Sequence, residues 1–562
     1  MATRSQDAQP AGILMAGADP VTAKVAPAEK EETPRSRGLR VWLPKHRRFI
    51  TWIVVVLLLS LIGTMLGPGW NPQPMDAVIQ PETADTQITT AAPTAQVGTY
   101  EVTTKVLTFT LSDGSTNVAK VMRPVGLEGE LPGMVFVHGT GTDSIDSFNE
   151  EAERIASTGI VTMVPQKRVA NYTTTHRDYV ALAIDYEDAL EKLRQQPGVA
   201  PNQVGLYAVS EGCFVAPIIA ARNPNVAYVA FVSAPVLPIR QQGGFAADAY
   251  LREIGAPIQV INAIPKLLGN DFGEEDFRYI DFDPGPYEAQ ITAPVMMLYG
   301  TGDNSMPIIQ GPLIMAEHLR EAGNRNLTLR YYRDADHGLR VGPLGERQLV
   351  LTAMQDVADW VNGMPYTANS LPQVAGAQPV QQYQAGAVHA VPNFLNGNVI
   401  LGAMGLAVAL ALLVLILELV GLIRIRGRAL AQYAGSGKAL NLSLLWIIAT
   451  WILYLWYLLV IARIALNYGQ DRLVVQGGYL GIQICALLAA WWFVRWIYRW
   501  FYGRRRGARS APEPAATLAA DGAPECPARM NAYGHVVSIV ALVSQVLFFV
   551  TLGYWNAFPA IL

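Results

Sequence analysis

Five apolar runs constrain this chain before any finer pattern is read. Phe49–Leu66 holds 18 residues without a charge, and Val399–Ile423, Leu442–Ile461, Leu473–Val494 and Val536–Trp555 are each at least 20 residues long. About 20 apolar residues suffice to cross the hydrocarbon of a bilayer. The sequence therefore predicts five transmembrane helices, 49–66, 399–423, 442–461, 473–494 and 536–555, one before and four after a long polar middle. The charged fraction agrees: 15% of 562 residues, against about a quarter in ordinary soluble domains. A net charge of −3 gives no argument for a nucleic-acid partner, and none is expected. The three cysteines, Cys213, Cys485 and Cys526, fall in separate regions, so neither a disulfide framework nor a metal site can be built from them.

Taken in order, residues 1–48 read as a disordered cytoplasmic tail that ends in a basic cluster of Arg35, Arg37, Arg40, Lys45, Arg47 and Arg48. The tail is too long for a signal-peptide n-region, so 49–66 reads as an uncleaved anchor. Pro-, Thr-, Gln- and Ala-rich stretches at 67–98 and 366–398 read as linkers. Between them, 99–365 alternates short apolar strands with helices. A hairpin is predicted over Tyr100–Thr110 and Asn117–Met122. Strands are predicted at Met134–Val137, Ile160–Val164, Val204–Val209, Tyr228–Val232, Val295–Tyr299 and Leu327–Tyr332, and helices at Ser147–Ser157, Tyr179–Gln195, Phe214–Arg222 and Leu344–Asn362. This rhythm predicts an α/β domain with a doubly wound, mostly parallel sheet. Residues 236–294 interrupt it with a helical stretch (Ala246–Gly269) and an acidic, aromatic loop (Asp271–Tyr287), which reads as a cap.

The basic flanks give a consistent threading. Arg424, Arg426, Arg428 and Lys438 follow the second span, and Arg495, Arg499, Arg504, Arg505, Arg506 and Arg509 follow the fourth. With the N-terminus cytoplasmic, every such flank lies inside. The expectation is a multi-pass plasma-membrane protein whose middle domain and C-terminus are extracytoplasmic. Glu418 and Arg463 sit in or beside spans, where snorkelling or a hydrogen bond within the bundle accounts for each. No repeated halves or paired broken spans point to a transport path. The four C-terminal helices read as an anchor in membrane lipid or a platform for a membrane-protein partner.

The chemistry centres on Val204-Gly205-Leu206-Tyr207-Ala208-Val209-Ser210-Glu211-Gly212-Cys213. A buried strand runs into a turn with Ser210 at its tip, and a helix follows at once. Small residues two before and two after the serine, Ala208 and Gly212, let strand and helix close around it. A serine hydroxyl needs a base within hydrogen-bond reach. His337, in Asp334-Ala335-Asp336-His337-Gly338, is the histidine that follows the last strand. Asp303, ending Leu298-Tyr299-Gly300-Thr301-Gly302-Asp303, is the expected acid. Asp336 is a rival, poorly placed to bond the ring because it is the adjacent residue. The order serine, acid, histidine is the one this strand–turn–helix motif requires. Donors for a developing oxyanion are expected from the Glu211 N–H and from Thr140 or Gly139 in His138-Gly139-Thr140-Gly141-Thr142; His138 reads as structural.

These residues resemble the prolyl-oligopeptidase-like esterases related to dienelactone hydrolases. The likeness covers about 100–365 and is carried by Gly205–Gly212, by Ala216-Pro217 in the following helix, and by the His-Gly-Thr-Gly, Tyr-Gly-Thr-Gly-Asp and Asp-His-Gly turns. Ala208 and Cys213 depart from the glycines usual there, and Cys213 either narrows the pocket floor or packs. The resemblance implies an α/β-hydrolase fold, a Ser210–Asp303–His337 triad and carboxylester hydrolysis. No cofactor and no metal are expected. No propeller precedes the domain, which lowers the peptidase reading. The expected partner is an ester-containing small molecule, lipid or envelope glycan. An envelope acyltransferase using the same acyl-enzyme, and a non-catalytic binding or scaffolding module, are the alternatives.

Overall fold

The computed structural model describes residues 34–169, 172–173, 175–270, 278–424, 436–466, 469, 471–509 and 530–559. The described part of residues 1–51 is the start of helix α1 (Pro34–Met65) and forms a unit of its own; Trp52–Leu562 is the second unit. Residues 34–48, expected in a disordered tail, are helical as the start of α1, although Gly38 and Pro44 lie inside that helix. Residues 1–33, the loops 425–435 (with Arg426 and Arg428) and 510–529 (with Cys526), and much of the acidic loop (271–277) lie outside the described residues.

The soluble domain opens with β1 (Val102–Thr110) and β2 (Thr116–Pro124), an antiparallel hairpin. Then come β3 (Leu131–Val137), α2 (Asn149–Ala156), β4 (Val161–Pro165), α3 (Tyr179–Arg194), β5 (Val199–Val209), α4 (Gly212–Arg222) and β6 (Val229–Val232). The insertion contributes α5 (Ile239–Glu253), α6 (Ile258–Ile261), α7 (Ile264–Leu268) and α8 (Gly285–Glu288). The chain returns through β7 (Val295–Gly300), α9 (Gln310–Glu321), β8 (Leu327–Tyr332), a small hairpin of β9 (Arg340–Val341) and β10 (Gln348–Leu349), α10 (Leu351–Asn362) and β11 (Val374–Gly376). The nine-stranded sheet has the order β1-β2-β4-β3-β5-β6-β7-β8-β11 and is parallel from β4 onward. Both faces are covered, as all-apolar strands require. α3, α4 and α9 build one core with Val135, Leu206, Phe231 and Met297; α2 and α10 build the other with Phe136, Tyr207, Met296 and Trp360.

Two expectations need correction. The helix predicted from Leu344 begins at Leu351, because Gly342 and Gly345 take positive φ (115° and 91°) and fold 340–349 into the small hairpin. The segments 67–98 and 366–398 are not free linkers but straps along the domain. Their Pro- and Gln-rich sequences show no period, yet backbone pairing and single buried side chains hold them. Pro74 bridges Tyr383 and Thr83 bridges Ala375, β11 extends the sheet beside β8, and Ile79 and Ile88 are buried. Arg330 of β8, fully buried, donates to the Thr86 carbonyl at 2.7 Å and the Pro372 carbonyl at 3.1 Å, tying both straps to the sheet.

The remaining elements are α11 (Gly397–Arg424), α12 (Ser436–Leu466), α13 (Gly478–Arg509) and α14 (Ala532–Tyr554). With α1 they make five helices long and apolar enough to cross a membrane. The bundle is tied internally by polar groups: Ser544 Oγ donates to the Ala407 carbonyl at 2.8 Å, and Ser443 bonds Gln545. Turned with its nitrogen toward Glu418, the Asn441 amide donates to both carboxylate oxygens at 3.0 and 3.2 Å. The 236–294 insertion rests on one end of this bundle. Lys266 of α7 is buried and donates to the carbonyls of Gly63 (2.6 Å) and Tyr554 (2.7 Å) and to Asn556 Oδ1 (3.2 Å). Those acceptors lie near the C-terminal ends of α1 and α14, where an unpaired carbonyl and the negative helix end both favour a cation. Gln476, just before α13, bonds the Gly255 carbonyl, and Ile254 and Val260 of the insertion share an apolar cluster with Trp451 and Phe558.

Candidate active site

Strand β5 delivers Ser210 to the carboxyl edge of the sheet, and α4 starts at Gly212. Ser210 has φ 55°, a left-handed conformation that costs an L-residue roughly 1–2 kcal/mol. Its backbone is held on both sides: its N–H donates to the Val232 carbonyl and its carbonyl accepts from the Cys213 N–H, each at 2.9 Å. The strand–helix closure needs glycine at 212, where a Cβ would lie 2.4 Å from the Val137 carbonyl oxygen. Ala208 is fully buried and fits without glycine. Cys213 packs in the core, its Sγ 3.3 Å from the Ala208 carbonyl, and burial pushes its thiol pKa well up. Of the two roles open to Cys213, this is packing.

The neighbouring strands deliver the acid and the base. β7 ends at Gly300, where a Cβ would lie 2.0 Å from the Ala335 carbonyl, so the two turns close directly on one another. The Gly302 N–H donates to that same carbonyl at 2.9 Å. Asp303 and His337 are thereby joined, Nδ1 to Oδ2 at 2.8 Å. The Asp303 side chain is fully buried and that of His337 is 29% exposed. Burial raises the Asp303 carboxyl, but the His337 charge and the bonds from His337 and Ser305 more than offset it, leaving its pKa below the usual value. For His337 burial acts downward, the Asp303 charge and hydrogen bond outweigh it, and the imidazole pKa is raised. The rival Asp336 is occupied elsewhere: it bonds Arg347 at 2.7 Å and accepts from the Gly338 and Arg340 N–H groups, each at 2.9 Å.

Ser210 and His337 are not hydrogen-bonded to one another among the described residues; the tip of β6 links their backbones. Val232 accepts from the Ser210 N–H, and Ser233 Oγ donates to the His337 carbonyl at 2.8 Å. Unbonded nucleophile–base pairs are common before substrate binds. Gly139 lies against the elbow, where a Cβ would be 3.2 Å from the Ser210 Cβ. Thr140 beside it is exposed, and neither its N–H nor that of Glu211 has a partner among the described residues. The His138 ring is buried, with Nε2 on the Pro165 carbonyl at 2.8 Å, and burial lowers its pKa to about 4.

Sequence reasoning missed the groups that hold this machinery. Ser305 gives Asp303 Oδ1 both its N–H (2.9 Å) and its Oγ (2.6 Å). More extensive is a cluster on the Glu211 side chain, which is buried and accepts from Lys167 Nζ (2.9 Å), Tyr179 Oη (2.9 Å), Tyr172 and Arg177. A carboxylate two residues after the apolar run Val204–Val209, and before the apolar helix α4, was the available signal for it.

Residues 183–358, which include Ser210, Asp303 and His337, match the family described as BAAT / acyl-CoA thioester hydrolase C terminal. No curated protein matches the chain. Among solved structures, a protein described as a dienelactone hydrolase from Klebsiella pneumoniae is 16% identical with a TM-score of 0.31, over 42% of this chain and 88% of that one. Brefeldin A esterase, described as a bacterial homologue of human hormone sensitive lipase, is 19% identical with a TM-score of 0.33, over 48% and 79%. A protein described as a dipeptidyl aminopeptidase IV from Bacteroides ovatus is 14% identical with a TM-score of 0.34, and the 46% of this chain that matches spans only 36% of that peptidase. The chain thus joins a mostly parallel, doubly wound α/β sheet, within which residues 183–358 match a thioester hydrolase family model, to five helices that, among the described residues, are long and apolar enough to cross a membrane.

Proposed function

We propose that this chain is a membrane-anchored serine hydrolase that cleaves carboxylic esters or thioesters through an acyl-enzyme on Ser210. The observation that carries the reading is the Asp303–His337 hydrogen bond, with the acid fully buried, beyond the tips of β7 and β8 on the same sheet edge as the strained Ser210 turn. In this reading Ser210 Oγ attacks the acyl carbon and its proton passes to His337 Nε2. Asp303 stabilises the imidazolium and fixes the ring. Backbone N–H groups of Glu211 and of the Gly139–Thr140 stretch receive the oxyanion. The acyl–leaving-group bond breaks as His337 returns the proton to the leaving group. Water then repeats the cycle, freeing the acid. The thioester option is favoured by the family match over 183–358.

The five spans alternate so that the domain lies outside the cell. This agrees with the cap docking where α1 and α14 end and α13 is about to begin, three ends that alternate threading puts on one side. The C-terminal helices serve as lipid anchor and partner platform, and the substrate is an ester of a small molecule, lipid or envelope glycan.

The test is turnover of p-nitrophenyl esters of increasing chain length by the full chain in detergent, wild type against Ser210→Ala, with and without added alcohol acceptors. Release of p-nitrophenol by the wild type alone supports hydrolysis, and acceptor-dependent product would show transfer. Equal rates in both proteins would refute the role of Ser210. For the threading, Val78→Cys, 71% exposed in the strap, should react with an impermeant maleimide on intact cells; protection would overturn the orientation.

A further inference from the structure

The Glu211 cluster lies beside the nucleophile, yet the proposed reaction uses none of its side chains. Lys167 follows β4 and is buried with Glu211; each side chain is under 5% exposed. Its Nζ donates twice, to Glu211 Oε2 at 2.9 Å and to the Gly139 carbonyl at 3.0 Å. Thr142 Oγ1 donates to the same carbonyl at 3.2 Å. In a trans peptide the C=O of one residue and the N–H of the next point in opposite directions, and Gly139–Thr140 is not one of the cis bonds found among the described residues. With its carbonyl held on the Lys167 side, the Gly139–Thr140 peptide presents the Thr140 N–H on the other side. That N–H is without a partner among the described residues, and the Gly139 Cα stands against Ser210.

The cation is itself fixed. Glu211 is gripped by Arg177, Tyr172 and Tyr179 as well as Lys167. Arg177 lies over the rings of Tyr172 and Tyr279 at 4.9 and 4.7 Å, and Lys167 over Tyr172 at 3.8 Å. Burial works against both charges, but the two cations hold the Glu211 carboxyl below its usual range. Glu211 also owns the other unpartnered N–H beside the serine. One residue therefore contributes a donor through its backbone and fixes the second through its side chain.

Resting on the serine-hydrolase reading, we infer that the buried Lys167–Glu211 pair is a positioning device that locks the Gly139–Thr140 peptide, so that the oxyanion hole is formed before substrate arrives and the Thr140 N–H is its second donor. The arrangement chooses between the two donors that the sequence left open. A flipped peptide would aim the Gly139 carbonyl at the developing negative charge, which replaces attraction by repulsion.

Two variants of the full chain in detergent test this. Lys167→Met removes the lock; an amide-to-ester replacement at Thr140, made with the α-hydroxy analogue of threonine, deletes only the N–H. Each should slow acylation by p-nitrophenyl acetate and phosphonylation by a fluorophosphonate about 100- to 1,000-fold, the usual range for a lost oxyanion donor. KM should stay nearly constant, and so should the acid-limb midpoint of the pH profile, because Asp303–His337 is untouched. The double variant should fall no further than the slower single one, and Lys167→Arg should recover most of the rate. A folded Lys167→Met that acylates within about fivefold of wild type, or a double variant whose losses multiply, would overturn the inference. If Lys167→Met does not fold, the ester variant decides: wild-type rates there overturn it equally. An unreactive wild type would sink the hydrolase reading itself, whereas a reactive wild type beside reactive variants sinks the lock alone.

Discussion

Gly212→Ala probes the closure on which the elbow depends. A Cβ at 212 would sit 2.4 Å from the Val137 carbonyl oxygen and 3.0 Å from that of His138, about 1 Å inside ordinary contact for the nearer atom. Both opposing atoms are backbone, and both α4 and β3 are buried, so no flexible side chain can give way. Overpacking of this kind costs about 1–3 kcal/mol, a fall of several degrees in melting temperature. The functional effect should be larger. Val137 and His138 lead directly into Gly139 and Thr140, so relief of the clash displaces the oxyanion loop relative to Ser210. A shift of about 1 Å can cost on the order of 100-fold in rate. Gly243→Ala is the control: it lies in α5 with nothing within 4 Å of its Cβ, and helix propensity alone should make it neutral or stabilising by up to about 1 kcal/mol. Thermal melts and p-nitrophenyl acetate turnover on the full chain in detergent measure both effects. Wild-type stability and turnover in Gly212→Ala would refute the close-approach argument.

Other outcomes follow from the charges. His337 must be neutral to act as base, and its pKa is raised above the ordinary 6.5, so the acid limb of kcat/KM should have its midpoint above pH 6.5. Asp303→Asn removes the anion that raises it while burial remains, so the residual activity should show a midpoint shifted downward; an upward shift would contradict the pairing. Lys266→Met should loosen the insertion, read as faster hydrogen exchange across 239–270. Burial brings the Lys266 pKa down to about 8 from 10.5. The folded state thus holds fewer protons than the unfolded state between those values, and wild-type stability should rise with pH across that window. Lys266→Met should lack that rise, and an identical rise in the variant would assign it to another group. Cys213, buried with its thiol pKa pushed well up, should resist iodoacetamide in the folded protein and react after denaturation; modification of the native state would contradict its packing.

The residues proposed to react were legible because each is announced locally. Ser210 and Asp303 follow apolar runs that end strands, His337 follows the last long strand, and the glycines that permit the close turns, Gly212 and Gly300, stand within three residues of the serine and the acid. The Ala246–Gly269 helical stretch and the five apolar spans were legible from composition and period alone. The supports were not. Lys167, Arg177, Tyr172 and Tyr179 reach Glu211 only after β4, the following loop and α3 pack against the elbow, and nothing in local sequence marks that meeting. Ser305 is two residues from Asp303, but its role depends on a turn whose shape is set by the Ala335 carbonyl across the sheet edge. The straps failed for a different reason. Proline and glutamine give no period, and the partners of 67–98 lie about 300 residues away, as in the Met75 N–H to Gln382 carbonyl bond of 3.0 Å. The small hairpin before α10 was missed because Gly345 was read through as helix, whereas its positive φ and that of Gly342 turn the chain.

The central claim is that Ser210 is the nucleophile of a working triad. It is tested most directly by treating the full chain in detergent with a fluorophosphonate and reading the modified peptide by mass spectrometry. The account predicts one adduct, on the peptide that carries Ser210, absent from Ser210→Ala and strongly slowed in His337→Ala. An unmodified Ser210 in the wild type, or equal labelling of Ser210→Ala, would contradict it.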